Sequence, residues 1–283
     1  MDTGDNRRLA MLVDADNTSP KHVPEMIEEL TRYGALTVRR AYGDWTTSQL
    51  GGWKDRLLAH AISPVQQFAY TTGKNATDSA LIIDAMDLLY SGNVEGFAIV
   101  SSDSDFTPLA TRLRESGKRV IGVGQRKTPK AFVEACERFV FLEVLAGDGG
   151  DGGDGEQVKD DQPRPIQSVL IKALNKVDTD DEDWASLSTV ASHLNRTDPS
   201  FDPRSYGFAK LSDLVKAQPF VETKTVTGQG GRGQLWLREK RRRPAGGTPT
   251  REAVKKATKA AAKKATAKST RKATKTPGAD GPA

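Results

Sequence analysis

Six strand-like runs separated by helical ones fill residues 7–145, and this alternation constrains the fold more than any other feature of the chain. LAMLVDAD is an apolar run ending in acids, Val23–Tyr33 has helical spacing and stops at Gly34, and ALTVRRAYGD reads as a second strand. Trp53–Ala61 is a short helix, SPVQQFAY a third strand, and Asp78–Tyr90 a long helix with Leu81, Ile82, Ala85, Met86 and Leu89 on one face. FAIVSS, a helix near Pro108–Ser116, RVIGVG, a helix through KAFVEACERF, and VFLEVL follow. Strands joined by helices need crossover connections, so the expectation is an α/β fold whose parallel sheet is covered on both faces.

Two of these strands end in carboxylates. The first runs into Asp14 and Asp16, and the fourth, FAIVSSDSDF, into Asp103 and Asp105. Removing a charge from water costs several kcal/mol unless something compensates it. In a doubly wound sheet, functional groups gather at the strand carboxyl ends where strand order reverses. If strands one and four are neighbours, Asp14, Asp103 and Asp105 converge in one crevice, with Asp78 approaching from the start of the long helix. Four carboxylates at one place repel each other unless a cation lies among them, and oxygen ligands without His or Cys favour Mg²⁺ or Mn²⁺. Taken singly, each acid also has a local reading. Asp105 could cap the helix that begins at FTPLATRL, Asp16 and Asn17 could form an Asx turn before Pro20, and Asp84 could be solvated or stand behind the site.

Residues 146–165, AGDGGDGGDGEQVKDDQPRP, are too polar to bury and read as a flexible acidic linker. Beyond it, IQSVLIKALNKV, WASLSTVASHLNR and SYGFAKLSDLVKA give three helices, and FVETKTV and QLWLR two strands, which together suggest a small winged helix-turn-helix over 166–240. Residues 241–283 are low-complexity Lys/Ala/Thr, expected to be disordered when unbound. This tail carries thirteen Lys and Arg against Glu252 and Asp280, so of the overall +5 the first 240 residues hold −6. The basic character belongs to the tail, which would neutralise nucleic-acid phosphates without reading sequence.

The segments LVDADN, GKNATDSALIIDAMDLL and IVSSDSDFTPLATRLRESGKRVIGVG, in this order and spacing, resemble the NYN domain of the PIN-like nuclease superfamily across Arg7–Leu145. The resemblance implies a PIN-like sheet and a metal-dependent ribonuclease whose acids match Asp14, Asp78, Asp103 and Asp105, with Asn17 beside the first. It further implies in-line attack of water leaving 5′-phosphate and 3′-hydroxyl ends. All four acids are present, so nothing argues for an inactive copy. Residues 166–240 resemble a LOTUS (OST-HTH) domain, with DPRSYGFAKLSDLV carrying most of the specificity. That implies RNA binding or a protein contact.

Around these motifs the expected helpers are Ser102, as a hydrogen-bond donor to the site, and Lys74 and Arg40, as phosphate contacts at the crevice rim. Arg204 and Lys210 are expected on the nucleic-acid face of the second domain, and Tyr42 and Trp45 are either core or base-stacking. The partners implied are single-stranded or structured RNA, with DNA reachable through the tail, and a homodimer is left open. The rival readings are a non-catalytic RNA-binding adaptor and a DNA-directed nuclease held by its tail. Cys136 alone permits no internal disulfide, and with His22, His60 and His193 it builds no zinc site. The lone cysteine and the absence of a long apolar run lead to an expectation of a cytoplasmic protein, nucleoid-associated through its tail, with no membrane partner.

Overall fold

The computed structural model describes residues 7–68, 76–145, 164–227 and 233–240. Lys74, most of the linker and the whole basic tail lie outside them.

The first domain is a six-stranded, wholly parallel sheet with helices on both faces. Its strands are β1 (Arg8–Asp14), β2 (Ala35–Gly43), β3 (Ser63–Gln66), β4 (Gly96–Val100), β5 (Arg119–Gly124) and β6 (Arg138–Phe141). Between and after them come α1 (Val23–Thr31), α2 (Lys54–Ala59), α3 (Ala76–Ser91), α4 (Thr107–Glu115), α5 (Lys130–Ala135) and α6 (Leu142–Leu145). The final run VFLEVL is therefore divided, with only its start in β6 and the remainder in α6.

The sheet order is β3-β2-β1-β4-β5-β6. The chain leaves β1 in one direction, returns through α3, and continues from β4 in the other, so the reversal falls between β1 and β4. Alternation along β1 sends Leu9, Met11 and Val13 into the core beneath α1, while Ala10 and Leu12 join Leu81 and Ala85 of α3 on the opposite face. In β4 the same rule puts Ala98 and Val100 with the first set and Phe97 and Ile99 with the second. Each strand of the central pair is buried on both faces, which explains why their sequences are continuously apolar.

The second domain packs α7 (Ile166–Leu174), α8 (Leu187–Thr197) and α9 (Leu211–Lys216) around Leu170, Leu174, Val190, Leu194, Leu214 and Leu237, with Tyr206, Phe208 and Leu211 against this core. Its sheet has three strands rather than the two expected: β7 (Ala185–Ser186) pairs with β9 (Gly233–Glu239), which pairs with β8 (Val221–Thr227). The extra strand is only two residues long, too short to leave a period-two pattern in sequence. No helix among the described residues is long and apolar enough to cross a membrane.

Candidate active site

Strand parity decides where the acids point. Asp14 follows Leu12 and so faces the α3 side, and Ser101 follows Ile99 onto the same side one strand away. The Ser101 hydroxyl donates to Asp14 Oδ2 at 2.8 Å. Asn17 donates its side-chain amide to the same oxygen at 2.9 Å and its backbone N–H to Oδ1 at 3.3 Å. Asp14 is completely buried, and among the described residues no cation pairs with it. Burial pushes its carboxyl above the ordinary range, and the bonds from Asn17 and Ser101 pull it part of the way back. Asn17 thus serves Asp14 directly.

Asp78 enters from the first turn of α3 and is 8% exposed. Burial pushes its carboxyl up to about 6, reinforced by the negative charges of Asp14, Asp103, Asp105 and Asp16. The expected acids therefore share one electrostatic neighbourhood at the β1/β4 reversal, joined by a fifth. Asp103 accepts the Asp105 N–H at 2.9 Å, capping the 3-10 turn Ser104–Phe106, while its own N–H donates to the Ser101 hydroxyl at 3.1 Å. Ser101 consequently links the two strand ends, touching Asp14 with its proton and Asp103 with its lone pair. Asp16 accepts the Thr77 hydroxyl at 2.7 Å and ties the start of α3 to the end of β1. Asp105 and Asp16 are exposed at the mouth.

The position of Asp78 depends on how α3 is seated. Two turns along it, Asp84 accepts from both Arg40 and the hydroxyl of Tyr42, which alternation places on the α3 face of β2. Arg40 is therefore not a rim contact for phosphate; its guanidinium is consumed by Asp84, which holds it firmly charged. Tyr42 is completely buried, and burial and then Asp84 raise its phenol pKa. Trp45 packs edge-on against Trp53 at 6.4 Å and donates to the Val65 carbonyl at 3.0 Å. Both aromatics are structural, and Asp84 sits behind the site.

Ser102 also differs from expectation. Its hydroxyl accepts the Gln125 N–H at 2.8 Å, pinning the loop after β5, and the donor to the acids is Ser101. The preceding Gly124 is required there, because a Cβ would lie 2.6 Å from the Ser101 carbonyl oxygen. The loop continues into Arg126 and Lys127 at the carboxyl end of β5, where the Arg126 guanidinium lies 6.0 Å from the centre of the Phe141 ring at the end of β6, and neither forms an ion pair among the described residues. Sequence reading missed these two, although a basic pair directly after a strand end was the available signal. In the second domain Lys210 is exposed. Arg204 instead forks onto Glu29 of α1 at 2.9 and 3.1 Å and onto Asp202, so it faces the first domain rather than a ligand.

The donor set suits a hard divalent ion: carboxylates, hydroxyls and an amide, with a net negative field. Among the described residues no three acids, His or Cys are close enough to form a ready ligand shell. A hard divalent ion that keeps several of its waters needs only one or two carboxylates, so acids spaced around a crevice are compatible with one. Asp14, Asp78, Asp103 and Asp105 are the residues that would hold it.

Residues 8–143 match the NYN domain family and residues 161–232 the OST-HTH/LOTUS domain family. An uncharacterized protein of Methanocaldococcus jannaschii is 28% identical over 121 residues, which are 41% of this chain and 47% of that protein. The chain thus spans about half the length of this curated relative. A protein of unknown function from Vibrio parahaemolyticus overlays with a TM-score of 0.41 at 18% identity, across 49% of this chain and 94% of that one. A solution structure of a Chromobacterium violaceum protein fragment is 31% identical with a TM-score of 0.24, across 32% of this chain and 92% of the fragment.

Proposed function

This chain carries an NYN domain, of the PIN-like nuclease superfamily, followed by an OST-HTH/LOTUS domain, and on that premise we propose that it is a metal-dependent ribonuclease hydrolysing RNA phosphodiester bonds. The observation carrying this reading is Asp14, a completely buried carboxylate satisfied by neutral donors only, facing a second buried acid that three further acids crowd. PIN-like nuclease domains generally use divalent metals; here Mg²⁺ or Mn²⁺ would supply charge compensation, polarise the scissile phosphate and lower the pKa of a water.

The chain's own residues have separable tasks. Asp14 and Asp103 hold position because Ser101 bonds to both. Asp78 adds charge from above, at an elevation set by the Asp84 contacts with Arg40 and Tyr42. Arg126 and Lys127 attract the phosphate backbone at the rim, and the OST-HTH/LOTUS domain and the basic tail add further nucleic-acid contacts, the tail without regard to sequence. Water attacks phosphorus, the bond to the 3′-oxygen breaks, and the products are a 5′-phosphate and a 3′-hydroxyl.

The test is cleavage of labelled single-stranded RNA, structured RNA and DNA with Mg²⁺, with Mn²⁺ and with EDTA, reading product ends as well as rate. A second reading, a non-catalytic RNA-binding adaptor, is favoured by the separation between the acids. Binding without metal-stimulated cleavage on any of the three substrates would select it.

A further inference from the structure

The seam between the two domains is a built interface. Glu29, near the C-terminal end of α1, is only 5% exposed, although α1 is an outer helix. Arg204 covers it with a two-pronged contact at 2.9 and 3.1 Å, and Asp202 holds the same guanidinium at 2.7 Å from behind. Arg32 adds a second cation to Glu29 at 3.0 Å. Beside this pair, Arg138 of β6 donates to the side-chain carbonyl of Asn195 at 2.6 Å. The Phe139 N–H, on the sheet's last strand, donates to the Pro199 carbonyl at 2.9 Å. A sheet edge presents unpaired backbone groups that a fold must cover, and here the second domain covers one. A planar guanidinium held on both sides fixes orientation as well as distance.

We propose that the OST-HTH/LOTUS domain is a fixed part of the catalytic domain's body, locked onto α1 and the β6 edge by Arg204, rather than a reader swinging on the acidic linker. The contacts lie at the C-terminal end of α1 and the N-terminal end of β6, so the domain is anchored at the opposite end of the strands from the acidic crevice. This inference stands apart from the nuclease reading, since it uses neither metal nor RNA.

The experiment is ¹⁵N relaxation on the full chain. Amides of residues 7–68 and 76–145 and of residues 164–227 and 233–240 should report one shared rotational correlation time. Glu29→Lys sets a cation against Arg204 and Arg32 while leaving the bonds between Arg204 and Asp202 in place, and should split tumbling into two values, the smaller domain faster. Lys210→Glu, on an exposed residue outside the seam, should leave the single value unchanged. Far-UV circular dichroism checks folding; should Glu29→Lys fail it, Glu29→Gln, which keeps the volume, is read in the same way. Two tumbling rates in the unmodified protein would overturn the proposal, and so would a single rate retained in the folded Glu29 variant.

Discussion

Asp14 and Glu29 are both carboxylates buried in the first domain, and they are compensated in opposite ways. Glu29 has two arginines, at 2.9 and 3.0 Å. Asp14 has a serine, an asparagine and a backbone amide, all neutral. A buried acid with a fitted arginine has its charge compensated within the fold, and losing the arginine is costly because it leaves that charge uncompensated. A buried acid beside other acids keeps an unsettled charge, and a fold retains such an arrangement where an exchangeable cation completes it. The seam is electrostatically closed and the crevice electrostatically open.

Catalysis should expose the largest difference. Asp103→Asn removes negative charge with little change in volume, and we expect cleavage to fall by roughly 10³-fold, equivalent to several kcal/mol of lost electrostatic stabilisation, with the circular dichroism spectrum retained. Glu29→Gln should alter turnover at saturating substrate far less. Unmodified rates from the Asp103 variant, or full activity in excess EDTA, would erase the distinction between the two sites.

Stability should separate them by sign. Without divalent ions, Asp78→Asn relieves repulsion and is expected to raise the melting temperature, whereas Glu29→Ala leaves Arg204 with Asp202 alone and should cost about 2–3 kcal/mol for the lost charged hydrogen bonds, or a fall of roughly 4–12 °C in a protein this large. Calorimetry of both variants in metal-free buffer checks this. The pH dependence follows from the same charge. The Asp78 carboxyl is pushed up to about 6 in the folded protein, so the folded state binds the proton more tightly than the unfolded chain. Its contribution is fully present below about pH 4 and is lost as pH rises toward about 6, a change of at most about 3 kcal/mol. Asp78→Asn should flatten that slope, and an unaltered slope would place the crowding elsewhere.

Much of the crevice was legible because strand period and strand end are both written in sequence. Leu12 and Ile99 set the parity that carries Asp14 and Ser101 to one face, and the convergence then required only that β1 and β4 be neighbours. What was not legible depends on pairing across long separations. Nothing local to Arg40 announces Asp84 forty-four positions on, and nothing near Arg204 announces Glu29. An arginine seen alone in sequence therefore looks like a ligand contact, whereas Arg40 is paired with the half-buried Asp84 and Arg204 with the buried Glu29. The same parity favours Ser101 over Ser102 as the donor, since Ser102 follows Val100 onto the opposite face and its hydroxyl meets the Gln125 N–H.

The smallest expected effect concerns the loop that borders the crevice. Gln125 is fastened to Ser102 and Gly124 abuts Ser101, so the two residues that follow start from a rigid base at the carboxyl end of β5. Arg126 is further steadied where its N–H meets Glu143 at 2.9 Å. Two cations beside an acidic crevice would attract a phosphodiester backbone while the acids repel it, which favours binding along the rim over binding inside without metal. Replacing both with glutamine should weaken RNA binding roughly tenfold near 0.1 M salt and flatten the dependence of log K on log salt by about 1.4, at about 0.7 for each phosphate on a single strand. Titrations of RNA at several salt concentrations measure it. Because the contact is to phosphate, the loss should be equal for different sequences. A loss confined to one sequence would mean that the loop reads bases, and an unchanged slope would move the backbone path to the other side of the crevice.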